Sequence, residues 1–296
     1  MKLLRILFII LMILLLAVLV PSGSAIGAVI SLPIDKTGGP KPPESGYLSD
    51  VEYLDESLHV EITQGRMFDT NWMAVAVTIA DPSQLRTYVA GSYNNPSAEF
   101  CTTMARRVNA VLAINGDYYG FNTIGSTVRQ GSVVRRRANG KTDVLIIDKD
   151  GNFHILQSPS QAECEAYEAV AVNSFNFGPG LIIDGEPVTE FTEEQLYDRG
   201  PEALAQRICI AQTGTLEYLI VYCEGPENKD SVGLTIAQFV DLVSSFDHVQ
   251  NAYNLDGGSS SSIVFNGDKI NGVSSGKMRT VSDIIYFATA FAKDGE

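Results

Sequence analysis

Histidine and cysteine are scarce in this chain of 296 residues, and neither forms a recognisable metal-binding pattern. The histidines are scattered, so a histidine-rich metal site is not expected; they are His59, His154 and His248. The cysteines match no zinc spacing and dictate no disulfide pairing; they are Cys101, Cys164, Cys209 and Cys223. We predict that they are mostly buried free thiols, and that Cys209 and Cys223 lie on paired strands without facing each other.

Positive charge is also in short supply, because 21 lysines and arginines face 35 acidic residues and give a net charge of −14. This argues against nucleic acid as a partner, and against a polyanion gripped over a broad surface. A small anion in a local basic pocket remains compatible with the composition. The one compact basic run, residues 135–137, is predicted to be a solvated turn, with contact to an anionic wall polymer as the alternative.

The N-terminus carries a targeting signal. Lys2 and Arg5 accompany an apolar stretch from Leu3 to Val20, and small residues follow as far as Ala25. This pattern is typical of a Sec-type signal, and its apolar part is also close to the roughly 20 residues that span a bilayer. We therefore predict that residues 1–28 are a signal peptide or a retained membrane anchor. The remainder would be exported, either extracellular or held at the outer face of the cytoplasmic membrane.

Proline and glycine dominate residues 29–49, which we interpret as a linker before a domain spanning residues 50–296. Apolar and β-branched runs predict strands at residues 58–64, 72–80, 110–114, 144–147, 153–156, 207–212, 217–223, 252–255, 262–266 and 283–291. Helical spacing predicts helices at residues 97–108, 161–168 and 235–245. Many strands are joined by hairpins, so we expect an α+β fold with a mixed or mainly antiparallel β-sheet core and a few flanking helices.

Two predicted strands end in unusually polar tips. The first tip is Asn115-Gly116-Asp117-Tyr118, and the second is Asp256-Gly257-Gly258 followed by four serines. Functional sites gather at strand ends because the scaffold fixes their geometry. The second tip could also form an anion-binding nest of backbone amides. The alternative interpretation is that both tips are tight turns, for which Asn-Gly and Asp-Gly are common signals.

Five segments in order carry a family resemblance: residues 114–118, 173–182, 207–212, 254–260 and 279–285. The chain resembles the phosphodiester glycosidase (NAGPA-type) family over roughly residues 50–291, and in particular bacterial members labelled as exopolysaccharide biosynthesis proteins. The most specific segment is Asn254-Leu255-Asp256-Gly257-Gly258 with its serines. The resemblance implies hydrolysis of the bond between an anomeric carbon and a phosphodiester, with a sugar-phosphate substrate and no required cofactor.

The resemblance and the chemistry of glycoside cleavage together suggest the site. Because such cleavage usually uses two carboxyl groups, we predict Asp117 and Asp256 as the catalytic pair. Arginines suit the phosphate through bidentate geometry, and amides and hydroxyls suit the sugar. The predicted substrate-binding residues are Asn115, Tyr118, Arg129, Asn173, Arg207, Gly257, Gly258, Ser259, Ser260 and Arg279.

Two other functions stay open at this point. One is a non-catalytic glycan-binding or wall-assembly module, since a fold does not fix a function. The other is a metal-assisted phosphodiesterase that cuts the P–O bond, with Asp117 and Asp256 binding Ca²⁺ or Mg²⁺ through oxygen. The oligomeric state is not predicted.

Overall fold

The computed structural model describes residues 28–196, 200–272 and 277–292. The predicted signal peptide or anchor lies outside the described residues, apart from Ala28. The chain divides into two compact units, of which residues 29–291 form one. The other comprises residues 1–28 and 292–296, and only Ala28 and Ala292 of it are described. Within the described ranges, no helix is long and apolar enough to cross a membrane.

Strands dominate the described chain, with three α-helices among them. The strands are β1 (Ala28–Val29), β2 (Tyr47–Ser49), β3 (Glu52–Leu54), β4 (Leu58–Met67), β5 (Thr70–Ile79), β6 (Leu85–Val89), β7 (Leu112–Asn115), β8 (Gly125–Arg129), β9 (Ser132–Arg137), β10 (Val144–Asp148), β11 (Phe153–Leu156), β12 (Ala171–Phe175), β13 (Gly180–Ile183), β14 (Glu186–Pro187), β15 (Arg207–Gly214), β16 (Glu217–Cys223), β17 (Asn251–Asn254), β18 (Ile263–Phe265), β19 (Asp268–Lys269), β20 (Asp283–Phe287) and β21 (Phe291–Ala292). The helices are α1 (Cys101–Arg107), α2 (Gln161–Glu165) and α3 (Ile236–Ser244).

The largest sheet has nine strands in the order β14-β13-β17-β15-β16-β5-β4-β3-β2, and its ladders are antiparallel. Side chains alternate between its two faces, as the two-residue period of a strand requires. On β15, Ile208 and Ile210 therefore enter one core, while Cys209 and Ala211 enter the core under α3. Thr235 caps that helix through its side chain, which accepts a hydrogen bond from the Gln238 amide.

A second antiparallel sheet has the order β19-β18-β7-β20-β6. Its Ile114 and Ile285 share the central core with Val75 and Ile210 of the nine-stranded sheet. The opposite face of the smaller sheet packs against α1. The β10-β11-β12 sheet and the β8-β9 hairpin complete this unit. Where it is described, the chain is thus mostly antiparallel β-sheet with three α-helices, which agrees with the α+β prediction.

Two helices are shorter than predicted. The helix predicted at residues 97–108 begins at Cys101, because the preceding residues bond to the sheet instead. The Ser97 amide donates to the Ala90 carbonyl, and Glu99 forms a β-bridge with Val281. The helix predicted at residues 161–168 ends at Glu165. The four cysteines are buried free thiols, and Cys209 pairs with Val221 in the ladder, not with Cys223.

Residues 125–137 include the basic run at 135–137, for which the prediction of a solvated turn was wrong. They form the β8-β9 hairpin, and Arg135, Arg136 and Arg137 lie on β9. Arg136 pairs with Glu168 at 2.8 Å. Arg135 donates to the carbonyls of Ile124 and Tyr119.

Residues 29–49, interpreted from the sequence as a linker, pack against the rest of the domain. Leu32 is buried in the core beside α1. The fully buried guanidinium of Arg86 donates to the carbonyls of Pro33 at 2.8 Å and Thr37 at 3.0 Å. A buried charge held by main-chain oxygens needs those oxygens in place, so this segment is part of the folded unit.

Candidate active site

The two polar tips lie side by side. β7 ends at Asn115, and the second tip follows the end of β17 at Asn254. The Asn115 side chain donates to the Asp256 carbonyl at 2.7 Å and accepts from the Ser262 amide at 3.0 Å. The Asp256 amide in turn donates to the Gly116 carbonyl at 3.4 Å. The two tips therefore form one continuous surface.

A cavity of about 210 Å³ opens beside the second tip. Seven of the predicted site residues line it, namely Tyr118, Arg207, Asp256, Gly257, Gly258, Ser259 and Arg279. The structure does not bring Asn115, Asp117, Arg129, Asn173 or Ser260 to its surface. Phe177, Gly178, Gln206 and Asn254 are among the residues that complete the wall.

Of the described residues that line the cavity, Asp256 is the acidic one. Burial raises the pKa of its carboxyl group to about 6, and Asp117 adds to the increase. The Ser260 hydroxyl and Arg279 favour the charged form and oppose the increase. A carboxyl group with a pKa near neutrality can exchange a proton with a reacting group, so Asp256 has the electrostatic character of a catalytic residue.

Two guanidinium groups share the cavity with Asp256. Arg207 is buried, and its Nε and Nη2 each donate to main-chain carbonyls, those of Leu234 and Ala203, at 2.9 Å. Arg279 is exposed, and its Nη1 donates to the Ser259 hydroxyl at 3.3 Å. Among the described residues, the charged side chains lining the cavity thus carry one positive charge in excess, in a chain whose net charge is −14.

The glycines of the second tip have different roles. A Cβ atom on Gly257 would lie 2.8 Å from the Gln206 carbonyl oxygen, so only glycine fits this close approach. Gly258 has a φ of +56°, and the space beside its Cα is open. Its amide donates to the Gln206 carbonyl at 2.8 Å, so this amide does not serve the predicted anion nest.

Gln206 and Asn254 line the cavity and were not among the predicted site residues. The Gln206 side-chain amide donates to the Gly258 carbonyl at 2.6 Å, and the Asn254 side-chain amide donates to the Gly178 carbonyl at 2.8 Å. Gln206 immediately precedes β15, and Asn254 is the last residue of β17. Each side chain therefore links the cavity wall to the nine-stranded sheet. Asn254 lies within the most specific motif, and that position was the sequence signal for it. No sequence pattern singled out Gln206.

Asp117 lies in a buried ion cluster outside the cavity wall. Its two carboxylate oxygens accept from Arg129 Nη2 and from the Asn176 amide, each at 2.7 Å. Arg129 Nη2 also pairs with Asp283 Oδ2 at 3.1 Å, and all three side chains are buried. Burial raises the pKa of Asp283 well above its ordinary value; Asp117 adds to the increase, and Arg129 opposes it. Because these contacts hold Asp117 in place, Asp117 and Arg129 are suited to position the first tip. Neither side chain lines the cavity.

The remaining predicted residues hold the surrounding scaffold. Asn173 is buried on β12, accepts from Thr87 Oγ1 at 2.7 Å and from the Gln130 amide at 3.0 Å, and does not line the cavity. Tyr118 lines the cavity with a φ of +67°, and its ring stacks on Phe121 at a centroid distance of 4.8 Å. Among the described ranges, no group of three or more histidine, cysteine or acidic side chains is suited to hold a metal ion.

Comparison with known proteins gives the class first: the chain is related to glycosidases. The sequence model of one glycosidase family, phosphodiester glycosidase (NAGPA), matches residues 108–288. This range is more than half of the chain and includes both tips, so the chain belongs to the phosphodiester glycosidase family.

Individual relatives are more distant. The SPbeta prophage-derived uncharacterized protein YomE of Bacillus subtilis (strain 168) is 29% identical over 201 residues. The match covers 65% of this chain and 30% of YomE, so the chain spans under a third of that relative.

Solved structures share the fold. The catalytic domain of zebrafish N-acetylglucosamine-1-phosphodiester alpha-N-acetylglucosaminidase, described as auto-inhibited by its pro-peptide, has a TM-score of 0.65 and 17% identity. The comparison covers 88% of this chain and 98% of the zebrafish chain. A hypothetical protein from Synechocystis has a TM-score of 0.63 and 16% identity, over 78% of this chain and 62% of its own.

Proposed function

We propose that this protein is an exported hydrolase that cleaves the bond between the anomeric carbon and the phosphate oxygen of a glycosyl-1-phosphodiester. The observation that carries the proposal is the presence of Asp256, Arg207 and Arg279 in one cavity. The N-terminal segment supports export, and we propose a cell-surface glycan or glycopolymer as the substrate.

The charges of the cavity match the parts of such a substrate. A phosphodiester carries one negative charge, and the lining residues that the structure describes have one positive charge in excess. Arg279, which is exposed, is suited to receive a phosphate oxygen, and Arg207 strengthens the local positive potential. Both guanidinium groups stabilise the charge that develops on the departing phosphate.

One carboxyl group is enough for this chemistry. The departing phosphate monoester leaves more readily than an alkoxide, so the leaving oxygen needs little protonation. Water adds to the anomeric carbon and gives its proton to the Asp256 carboxylate, while the C–O bond breaks and its electron pair stays on the phosphate. The negative charge of Asp256 also stabilises the positive charge that develops on the sugar ring.

The cluster around Asp117 does not fit the metal-assisted alternative. Both Asp117 oxygens already accept N–H groups, and the nearest cation is the Arg129 guanidinium. A hard cation requires several free oxygen ligands. We therefore favour cleavage of the C–O bond over cleavage of the P–O bond.

The test is hydrolysis of the p-nitrophenyl phosphodiester of N-acetylglucosamine-1-phosphate in ¹⁸O-labelled water. Label in the released sugar would support C–O cleavage, and label in the phosphate product would indicate the phosphodiesterase. We expect Asp256→Asn to lose activity, and the exposed control Asp247→Asn to keep it. Binding of glycans without release of any product, across a panel of sugar phosphodiesters, would instead favour the non-catalytic module.

A further inference from the structure

A second cavity, of about 510 Å³, opens at the same edge of the nine-stranded sheet as the first. By this edge we mean the end of the sheet at which β15 begins at Arg207, β16 ends at Cys223 and β5 begins at Thr70. In the ladder Arg207 pairs with Cys223, and Cys223 pairs with Trp72. Arg207 lines the first cavity and Trp72 lines the second. Two strand spacings, about 10 Å, separate the main chains of Arg207 and Trp72.

The second cavity is polar but carries no excess charge. Gln64, Arg66, Asn71, Glu224 and Asn271 line it, with Met73, Ile270 and Tyr222 supplying apolar surface. The charges of Arg66 and Glu224 cancel, whereas the first cavity has a positive excess. Planar amide and carboxylate groups beside apolar surface suit a neutral ligand rich in hydroxyl groups.

Several polar groups of this cavity are available to a ligand. The Oε2 atom of Glu224 accepts from Asn71 at 3.0 Å and from Ser231 at 2.6 Å, while its Oε1 atom makes no hydrogen bond to the described residues. The Gln64 side chain is exposed on β4 and likewise makes no hydrogen bond within the described ranges. Arg66 is anchored by Asn71 at 2.9 Å and by the Asp230 carbonyl at 2.6 Å.

The walls of the two cavities are connected. Asn271 of the second cavity donates to the Ser261 carbonyl at 3.1 Å, two residues beyond Ser259 of the first. A Cβ atom on Gly225, which follows Glu224, would lie 2.9 Å from the main-chain nitrogen of Gln206. The protein between the two cavities is therefore connected by direct contacts.

We propose that the second cavity is a subsite for a neutral sugar unit that adjoins the scissile glycosyl phosphate in an extended glycan. The inference rests on the proposed function, and it makes the substrate an oligomer or polymer. The first cavity holds the anionic linkage, and the second holds a neighbouring uncharged ring through Gln64 and Glu224.

The experiment compares single-unit and extended substrates. The single unit is the p-nitrophenyl phosphodiester of N-acetylglucosamine-1-phosphate. One extended substrate adds a neutral hexose to its sugar, and the other replaces p-nitrophenol by a neutral disaccharide. The variant Gln64→Trp fills the cavity without removing a hydrogen bond among the described residues. The matched control is Thr63→Trp, at the neighbouring exposed position of β4, whose side chain points to the opposite face.

We expect at least one extended substrate to exceed the single unit in kcat/KM by about tenfold, the discrimination that one added contact can give. Gln64→Trp should abolish this advantage and leave the single-unit rate unchanged, while Thr63→Trp should retain it. An advantage that is absent from the native protein, or that survives in Gln64→Trp, would overturn the subsite.

A binding measurement separates failure of the subsite from failure of the proposed function. If the native protein hydrolyses none of these substrates, the proposed function falls. Calorimetric titration with a neutral trisaccharide then tests the subsite alone. Binding that is lost in Gln64→Trp and kept in Thr63→Trp would support it, and absence of binding to the native protein would overturn it.

Discussion

The side-chain amide of Asn115 donates a hydrogen bond to the main-chain carbonyl of Asp256 over 2.7 Å, across 141 positions of sequence. The other end of the same amide accepts from the Ser262 amide. One side chain at the end of β7 therefore holds both ends of the segment that carries the candidate catalytic carboxyl group. The placement of that carboxyl group depends on a strand of the other sheet.

Replacing Asn115 by alanine should impair catalysis through Asp256. The variant loses the three hydrogen bonds of this side chain, so we expect a loss of about 2 kcal/mol or more in the free energy of unfolding and a fall of about tenfold or more in kcat. Denaturant titration and steady-state kinetics measure the two effects. In an Asp256→Asn background the same substitution should cause no further loss of activity. Losses that simply add would contradict a positioning role.

The raised pKa of Asp256 makes the wild-type stability depend on pH. The folded-state pKa of about 6 exceeds the ordinary value of 3.8, so the folded state binds more protons than the unfolded state between these values. Stability therefore falls as the pH rises through this window. Asp256→Asn removes the penalty, and we expect it to be about 1–2 kcal/mol more stable than wild type at pH 8, allowing for partial exposure.

Denaturant titrations of Asp256→Asn and wild type at pH 4 and pH 8 check this prediction. The difference should shrink at pH 4, because the wild-type carboxyl group is then largely protonated in the folded state. Equal differences at the two pH values would show that Asp256 is not the group responsible. The substitution Asp247→Asn at an exposed site provides the matched control.

Arg279 should shift the pH dependence of catalysis. If the Asp256 carboxylate is the active form, kcat/KM rises with pH up to an apparent pKa of about 6. Arg279 favours the charged form of Asp256, so Arg279→Gln should move this acid limb to higher pH and lower kcat/KM by about tenfold to hundredfold. Arg279→Lys should restore the position of the limb more fully than the rate, because lysine lacks bidentate geometry. A limb that does not move in Arg279→Gln would separate Arg279 from Asp256.

The buried cluster of Asp117, Arg129 and Asp283 should respond very differently to loss of its cation and of one anion. Arg129→Met leaves two carboxyl groups buried without their cation, and we expect it to cost about 3–5 kcal/mol. Asp283→Asn keeps the Asp117–Arg129 pair and should cost much less. Because the folded-state pKa of Asp283 is raised, wild-type stability should also fall from pH 5 to pH 8, and more weakly in Asp283→Asn. Thermal denaturation at both pH values tests this, and equal destabilisation by the two substitutions would contradict it.

Sequence patterns were sufficient where one physical signal dominated. The β-branched runs of β5 and β15 predict strands because alternation and burial agree along their length. The β8-β9 hairpin was missed although Gln130 and Gly131 adopt positive φ at its turn, because its arginines suggested a solvated segment.

The candidate site was predictable only in part, because some of its contacts depend on the order of the strands in a sheet. The ordered motifs predicted that Asp256, Arg207 and Arg279 belong to one site, and the structure places all three in one cavity. The partners of Asp117 depend on the sheet order β7-β20-β6, which brings Asp283 beside it and which sequence does not reveal. An aspartate that opens an otherwise apolar strand was the available signal for Asp283.

Gly116 should tolerate no side chain, because the first tip is packed directly against Asp283. A Cβ atom at this position would lie 2.0 Å from Asp283 Oδ2, and that carboxyl group cannot move away without leaving Arg129. We expect Gly116→Ala to cost about 3 kcal/mol or more in the free energy of unfolding, by forced repacking and disruption of the ion cluster. Gly140→Ala is the control: Gly140 has a φ of +69° but open space around it, so it should cost only about 1 kcal/mol. The two values come from denaturant titration of the purified variants, and similar costs would show that contact with Asp283 is not what requires glycine at position 116.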